Sequence, residues 1–203
     1  YHCIQLQGER RCRDVRIYHC HLLNAGEQII KGSVGRDCRG VVGAVVEYCL
    51  IGFEKHARSD YTNGVDILGG RDCVIRHNNF FVRTADQSGD VGIAAWNSPG
   101  TKILHNTVIV SGTYPNAIEC RYTSSADVLI AGNLCDAAIA AREGAKPTVQ
   151  NNFTRAQPQW FVNLPAGDLH IKKSFAVRLL VPRHPDCKTD FDGQKRSDQT
   201  PAG

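Results

Sequence analysis

Ile75-Arg76-His77-Asn78 and Ile103-Leu104-His105-Asn106 are two copies of the short pattern that decides the fold. The pattern is a β-branched residue, two variable residues, and then Asn or Cys. It occurs six times, and its fourth positions are Cys20, Cys49, Asn78, Asn106, Asn133 and Asn152. These positions are separated by 29, 29, 28, 27 and 19 residues. A repeat of this length is typical of a solenoid, in which one short unit stacks on the next.

A second strand-like segment precedes most copies of the pattern. It is centred on Val65, Ile93, Ile118 and Ile139, and Glu27–Ile30 is a less regular earlier copy. Turn-forming residues separate the two segments, and no unit contains the roughly ten-residue apolar stripe of a helix. The sequence therefore predicts an all-β fold, a parallel β-helix of about six coils over residues 1–171. The tail, 172–203, is expected to be irregular or packed on the last coil.

Stacking places equivalent residues about 4.8 Å apart along the solenoid axis. The four asparagines are therefore predicted to form an inward ladder, whose carboxamides bond to one another and to turn backbone groups. Cys20 and Cys49 occupy the same slot as small buried residues. Adjacent coils also bring these two within disulfide reach. We favour simple packing, because thiols are among the most buried side chains.

Composition excludes several classes of protein. The 203 residues include 24 Lys and Arg against 20 Asp and Glu, a net charge of +4. Residues 172–203 hold seven of the bases and four of the acids, so the body has 17 against 16. A dedicated nucleic-acid surface is not expected without a basic excess. No apolar stretch approaches the roughly 18 residues of a membrane span. The nine cysteines include no Cys-x-x-Cys pair, so a structural zinc site is not predicted.

Several stretches resemble the right-handed parallel β-helix of the pectate-lyase-like superfamily. They are Tyr61–Gly70, Cys73–Phe80, Asp90–Trp96, Leu104–Val108 and Ser111–Glu119. The resemblance covers residues 3–171 and is closest to bacterial proteins related to chondroitinase-B-like and alginate-lyase-like enzymes. It implies a secreted protein, extracellular or periplasmic, that cleaves an acidic, uronate-containing polysaccharide by β-elimination. Such chemistry needs Ca²⁺ or Arg at the uronate carboxylate, together with a base and an acid. We expect a monomer, and the absence of Met leads us to expect a processed or shortened chain.

Two columns of the second strand-like segment carry the candidate site. One column contains Asp66, Ala94, Glu119 and Ala140, and the other contains Leu68, Trp96, Arg121 and Arg142. Because successive side chains of a strand point to opposite faces, both columns point outward if the β-branched residues point inward. Arg121, Arg142 and Lys31, on the earlier strand, are the predicted catalytic residues. Trp96, Asp66 and Glu119 are predicted to contact the substrate, and the two carboxylates to bind a cation such as Ca²⁺.

Each of these patterns also has a plainer interpretation. Outward charged residues are usually solvated or paired with one another, as Glu119 and Arg142 would be. His19, Tyr48, His77 and His105 share a column that indicates either a metal site or, more simply, a stacked ladder. In the ladder, one ring nitrogen of each histidine would donate to a backbone carbonyl. Three functions therefore remain open: a polysaccharide lyase, a non-catalytic glycan-binding or surface module, and an inactive, truncated relative of a lyase.

Overall fold

The chain forms a parallel β-solenoid with almost no helix, as the repeat predicts. The computed structural model describes residues 2–7, 12–33, 40–54, 62–83 and 89–203. Cys38 and Tyr61, both noted in the sequence, lie outside the described residues.

Within the described residues, the coils contribute their strands to three parallel sheets in turn. Sheet 1 contains β1 (Ile4–Gln7), β4 (Ile30–Ser33), β7 (Val65–Leu68), β10 (Ile93–Trp96), β13 (Asn116–Arg121) and β16 (Ala138–Arg142). Sheet 2 contains β2 (Arg16–Tyr18), β5 (Val45–Glu47), β8 (Val74–Arg76), β11 (Lys102–Leu104), β14 (Leu129–Ala131) and β17 (Thr148–Gln150). Sheet 3 contains β3 (His21–Leu23), β6 (Leu50–Phe53), β9 (Asn79–Val82), β12 (Thr107–Ile109) and β15 (Leu134–Cys135).

The number of coils is close to the six predicted. In the described ranges, five coils have a strand in all three sheets, and the sixth has only β16 and β17. The repeat pattern lies in sheet 2, where Val46, Ile75, Ile103 and Ile130 pair in register and are at most 1% exposed. Burying each such side chain stabilises the fold by roughly 1.5–3 kcal/mol. In these four coils, the first position of the repeat therefore forms the apolar interior, whereas Val149 of the last copy is 49% exposed.

The Asn column forms a continuous hydrogen-bonded ladder at the turn between sheets 2 and 3. The Asn106 carboxamide oxygen accepts from both the backbone N–H and the side-chain Nδ2 of Asn78, each at 3.0 Å. Asn133 accepts from Asn106 in the same way, at 2.9 and 3.0 Å. Asn152 accepts from Asn133 at 2.8 and 2.9 Å. Each Nδ2 also donates to a strand carbonyl, as Asn106 does to Ile75 at 2.9 Å. The ladder thus binds each coil to the next.

The residue before each ladder position adopts a left-handed backbone conformation. His19, Tyr48, His77 and His105 have φ of 50°, 55°, 53° and 47°. This conformation is unfavourable for bulky residues, but their rings stack, with centroids 5.1, 5.0 and 6.4 Å apart from His19 to His105. The predicted donation to backbone carbonyls is wrong for His77, whose ring nitrogens have no partner. His105 instead accepts from the N–H of His184 at 3.3 Å.

The two cysteines of the ladder column differ in burial. Cys49 is fully buried, and its sulfur donates to the carbonyls of Ile17 and Glu47 at 3.7 and 3.3 Å. Cys20 is only partly buried, because it lies in the first described coil. Both are free thiols, as are the other cysteines of the described residues. This agrees with packing rather than a disulfide, with the correction that Cys20 is not fully enclosed.

The parallel strands end at β17, and the rest of the chain folds back. It contains a 3₁₀ helix (Pro158–Trp160), β18 (Phe161–Asn163), a second 3₁₀ helix (Leu164–Ala166), β19 (Asp168–Ile171), α1 (Lys173–Ala176), β20 (Leu180–Pro182) and β21 (Gln199–Pro201). β18 pairs antiparallel with β19, and β20 with β21. No helix in the described part of the chain is long and apolar enough to cross a membrane.

This returning segment covers sheet 3. Phe81, Ile109 and Leu134 point outward from the sheet and pack into a second hydrophobic core with Phe161 and Leu169. Exposed apolar side chains on one face of a sheet require a cover. The apolar outward face of sheet 3 explains why the chain folds back along the side of the solenoid rather than over its end.

The last part of the chain, residues 183–203, runs along the turn column as a strap. The Tyr48 hydroxyl lies 2.8 Å from the hydroxyl of Thr189, and Arg76 donates to the Asp186 carbonyl at 2.6 Å. The Gly203 N–H donates to the Gly132 carbonyl at 2.9 Å. The strap therefore contacts several coils. The expectation that the tail packs on the last coil alone is corrected by these contacts.

The ladder generates a testable prediction. We expect Asn106→Ala to lower the free energy of unfolding by about 3 kcal/mol or more, because it leaves several buried groups of Asn78, Ile75 and Asn133 without partners. Urea denaturation measures the change. Asn152→Ala, at the partly exposed end of the same ladder, is the matched control, and we expect a smaller loss. Equal losses for the two variants would contradict a ladder whose strength depends on burial.

Candidate functional site

The first predicted column lies on sheet 1, on strands that pair in register. Lys31 of β4 pairs with Asp66 of β7, and Ala94 of β10 pairs with Asp66 on one side and Glu119 of β13 on the other. These residues alternate with core residues such as Ile93, so they lie on the side of sheet 1 that faces away from the interior. The parallel pairing therefore brings the column together as the sequence predicts.

Neither carboxylate of this column is solvated, so the part of the plainer interpretation that the structure supports is the pairing of Glu119 with Arg142. Asp66 is 2% exposed and Glu119 is 0% exposed. Burial raises the pKa of Asp66 to about 7, although Lys31 opposes the rise and Asp90 adds to it. One oxygen of Asp66 has no hydrogen-bond partner. A buried carboxyl group that titrates near neutral pH is suited to acid–base chemistry.

Glu119 is the centre of a polar cluster. One carboxylate oxygen accepts from Asn116 Nδ2 at 2.8 Å, from Arg142 Nη1 at 3.0 Å and from the Tyr114 hydroxyl at 3.3 Å. The other oxygen is buried and has no partner. Arg142 Nη1 also donates to the Tyr114 hydroxyl at 3.3 Å. The pairing of Glu119 with Arg142 is therefore present, and it includes two residues that the sequence did not single out.

A bulge positions the cluster. The register between β13 and β16 shifts between Asn116 and Ile118, so Ala117 is the extra residue. Bulges change the direction of side chains at the edge of a sheet, and here Asn116 is hydrogen-bonded to Glu119 three residues later. Burial raises the pKa of Tyr114, and the negative charges of Glu119 and Asp90 raise it further. The only signal in the sequence was the Tyr-Pro-Asn turn before β13.

The second column forms a row of Trp96, Arg121 and Arg142 on neighbouring strands. The Arg121 guanidinium lies 4.6 Å from the centre of the Trp96 ring and forms an ion pair with Glu143. This stacking already uses one face of the indole. Two buried donors of the row, Trp96 Nε1 and Arg121 Nε, have no acceptor. The Arg142 side chain is 41% exposed. The row is thus a basic and aromatic surface whose most exposed charged group is the Arg142 guanidinium.

The structure does not bring all the predicted residues together. Lys31 and Arg142 are four strands apart, or about 19 Å at the usual strand spacing. They cannot both contact the same uronate residue. Asp66 and Glu119 are separated by β10. Among the described residues, no group of three or more His, Cys, Asp or Glu is arranged to hold a metal ion.

Comparisons with known proteins add no further assignment. No protein-family model matches the chain, and neither the curated proteins nor the solved structures contain a match. The pairing of the strands shows the parallel β-helix, and the resemblance to one superfamily stays a prediction.

The raised pKa of Asp66 has a measurable consequence. An unfolded Asp has a pKa of about 3.9, so between about pH 4 and 7 the folded state binds a proton that the unfolded state lacks. Stability is then lost as pH rises through this interval. We expect Asp66→Asn to raise the melting temperature at pH 8 by about 2 °C or more, and to change it little at pH 4.

Asp127→Asn is the control, because it is the same substitution at an exposed aspartate. Differential scanning calorimetry at the two pH values measures both variants. A melting temperature of Asp66→Asn that falls at pH 8 would show that the charged carboxylate is needed for stability.

Proposed function

We propose that this protein binds an acidic, uronate-containing polysaccharide on the outward face of sheet 1. The observation that carries the proposal is the row of Trp96, Arg121 and Arg142 on neighbouring strands, in which the Arg142 side chain is 41% exposed. An arginine has five N–H donors that match the geometry of a carboxylate. A polymer that lies along the axis meets one member of this row at each strand, about every 4.8 Å.

Charge supports an acidic rather than a neutral glycan. Arg142 makes its described hydrogen bonds through Nη1 alone, so its other donors are free for a ligand carboxylate. Trp96 and Tyr122 flank Arg121 and add apolar ring surface for sugar C–H groups. The proposal includes an extracellular or periplasmic location, because the ligand is an extended external polymer. It also includes a monomeric state, because one chain carries the whole row.

Binding to polygalacturonate, alginate and chondroitin sulfate, compared with neutral dextran, tests the proposal. We expect isothermal titration calorimetry to detect at least one acidic polymer and not dextran. We expect affinity to fall about tenfold or more in the double variant Glu119→Gln/Arg142→Gln, because a charge-assisted hydrogen bond contributes about 1.5–3 kcal/mol. The two amides keep a hydrogen bond between them, so no buried charge is left unpaired.

Arg155→Ala is the matched control, since Arg155 is an exposed arginine outside the row. Titrations with and without Ca²⁺ decide whether a cation joins the carboxylates of Asp66 or Glu119 to the ligand. Dextran binding as strong as that of the acidic polymers, or undiminished binding by the double variant, would contradict the proposal.

A second candidate function, β-elimination, is favoured by one contact. The Tyr114 hydroxyl lies 3.3 Å from Arg142 Nη1 and from the Glu119 carboxylate. In this reaction, Arg142 would neutralise the uronate carboxylate, and a solvent water molecule would take the proton of the adjacent carbon as the bond to the leaving oxygen breaks. The raised pKa of Tyr114 keeps its proton in place, which suits an acid that protonates the leaving oxygen. Lys31 is too far along the sheet to act at this uronate.

The appearance of the unsaturated-uronate absorbance band tests this activity. If the chain is a lyase, we expect Tyr114→Phe to lower the rate about 100-fold or more while polymer affinity is retained. No absorbance change on any acidic polymer, with binding intact, would leave the protein a glycan-binding module. An unchanged rate in Tyr114→Phe would exclude Tyr114 as the acid.

A further inference from the structure

Two neighbouring strands of sheet 3, β9 and β12, carry polar side chains on an outward face that is otherwise largely apolar. Asn79 of β9 pairs in register with Thr107 of β12. Asn79 is 8% exposed and Thr107 is 3% exposed. Among the described residues, neither the Asn79 carboxamide nor the Thr107 hydroxyl has a hydrogen-bond partner. The polar atoms of the two side chains are not fully buried, and both residues line a pocket, so they are available to a ligand bound there.

Both side chains line a pocket of about 220 Å³ between sheet 3, β19 and the strap. Leu169 and Phe191 contribute apolar surface to the walls. Asp190 and Asp192 contribute carboxylates. A liquid water molecule takes about 30 Å³, so the pocket holds several waters or one small ring, and it is below the usual size for larger ligands.

Several polar atoms around the pocket already have hydrogen-bond partners. His170 contacts Asp168 through Nδ1 at 2.5 Å and Asp192 through Nε2 at 2.8 Å. One Asp190 oxygen accepts the backbone N–H groups of Asp192 and Gln194, at 3.1 and 2.8 Å. The remaining carboxylate oxygens of Asp190 and Asp192 are acceptors without a described side-chain donor. A ligand with O–H or N–H hydrogens can therefore bond to these oxygens.

A buried arginine sets the electrostatics of the strap. Arg196 is 8% exposed, and its guanidinium donates to the carbonyls of Thr189 and Pro201 at 2.9 and 3.0 Å, to the Thr200 hydroxyl at 3.0 Å, and to the Gly203 carbonyl. Four of its five N–H donors are used, and its positive charge remains at the pocket wall. That charge disfavours a cation, and the two aspartates disfavour an anion.

We propose that this pocket binds a neutral, hydroxyl-rich ligand of monosaccharide size. A sugar hydroxyl both donates and accepts a hydrogen bond. It can therefore satisfy the carboxamide of Asn79, the hydroxyl of Thr107 and the free oxygens of Asp190 and Asp192 together. The C–H groups of the ring contact Phe191 and Leu169. This site lies on sheet 3, so it is separate from the acidic-glycan surface of sheet 1.

Saturation-transfer NMR on the whole protein tests the proposal, with glucose, galactose and mannose as separate probes. We expect transfer to at least one of these hexoses, and weaker transfer to glucuronate and glucosamine, which carry a charge. No transfer to any hexose, or stronger transfer to a charged sugar, would overturn the proposal.

Conservative variants locate the binding. Thr107→Val and Asn79→Leu keep the shape of the side chain and remove its polar atoms, and we expect each to weaken hexose binding about fivefold or more. Thr148→Val is the matched control, because Thr148 is exposed on β17. Undiminished binding by Thr107→Val would overturn the assignment.

A stability measurement separates a ligand site from a structural role. Because the Thr107 hydroxyl has no partner in the free protein, we expect Thr107→Val to melt at the same temperature as the parent or higher. A clear fall in melting temperature would mean that the hydroxyl serves the fold. The Glu119→Gln/Arg142→Gln variant should retain hexose binding, so failure of the polysaccharide proposal and failure of this one are distinguishable.

Discussion

The asparagine ladder is the interaction on which the rest of the structure depends. Asn106 and Asn133, each 0% exposed, connect neighbouring coils through both backbone and side-chain hydrogen bonds. Turn backbone groups buried inside a solenoid would otherwise lack partners. Each carboxamide supplies an acceptor for the coil before it and donors for carbonyls nearby. The ladder therefore fixes the register of the sheets, and the register determines which residues meet on the outer faces.

The outer faces of the solenoid differ in what covers them. Sheet 3 is apolar outside at Phe81 and Ile109, so the chain folds back over it and forms a second core. The turn column of stacked rings is crossed by the strap, which Thr189 joins to Tyr48. Burial lowers the pKa of both His77 and His105 to about 3, and the Arg196 charge contributes to the effect. These histidines are therefore neutral parts of the fold at ordinary pH.

The outward side of sheet 1 carries the candidate functional residues. Strand pairing alone places Trp96, Arg121 and Arg142 side by side, and this could be read from the repeat. The burial of Asp66 and Glu119 could not, because the position of a residue on a strand does not give the packing around its outward side chain. Tyr114 and Asn116 were missed for the same reason: a bulge and a turn, rather than a strand position, bring them to Glu119.

The sequence by itself determined the parallel coils, the three-dimensional neighbours within each column and the inward ladder. It could do so because stacked coils repeat one local geometry, so spacing along the chain translates directly into register. Only the tertiary structure decided where the C-terminal segment packs, which charged residues are buried and where pockets form. These features arise from contacts between distant parts of the chain that share no repeat. The pocket beside Asn79 and Thr107 exists only because the strap closes over sheet 3.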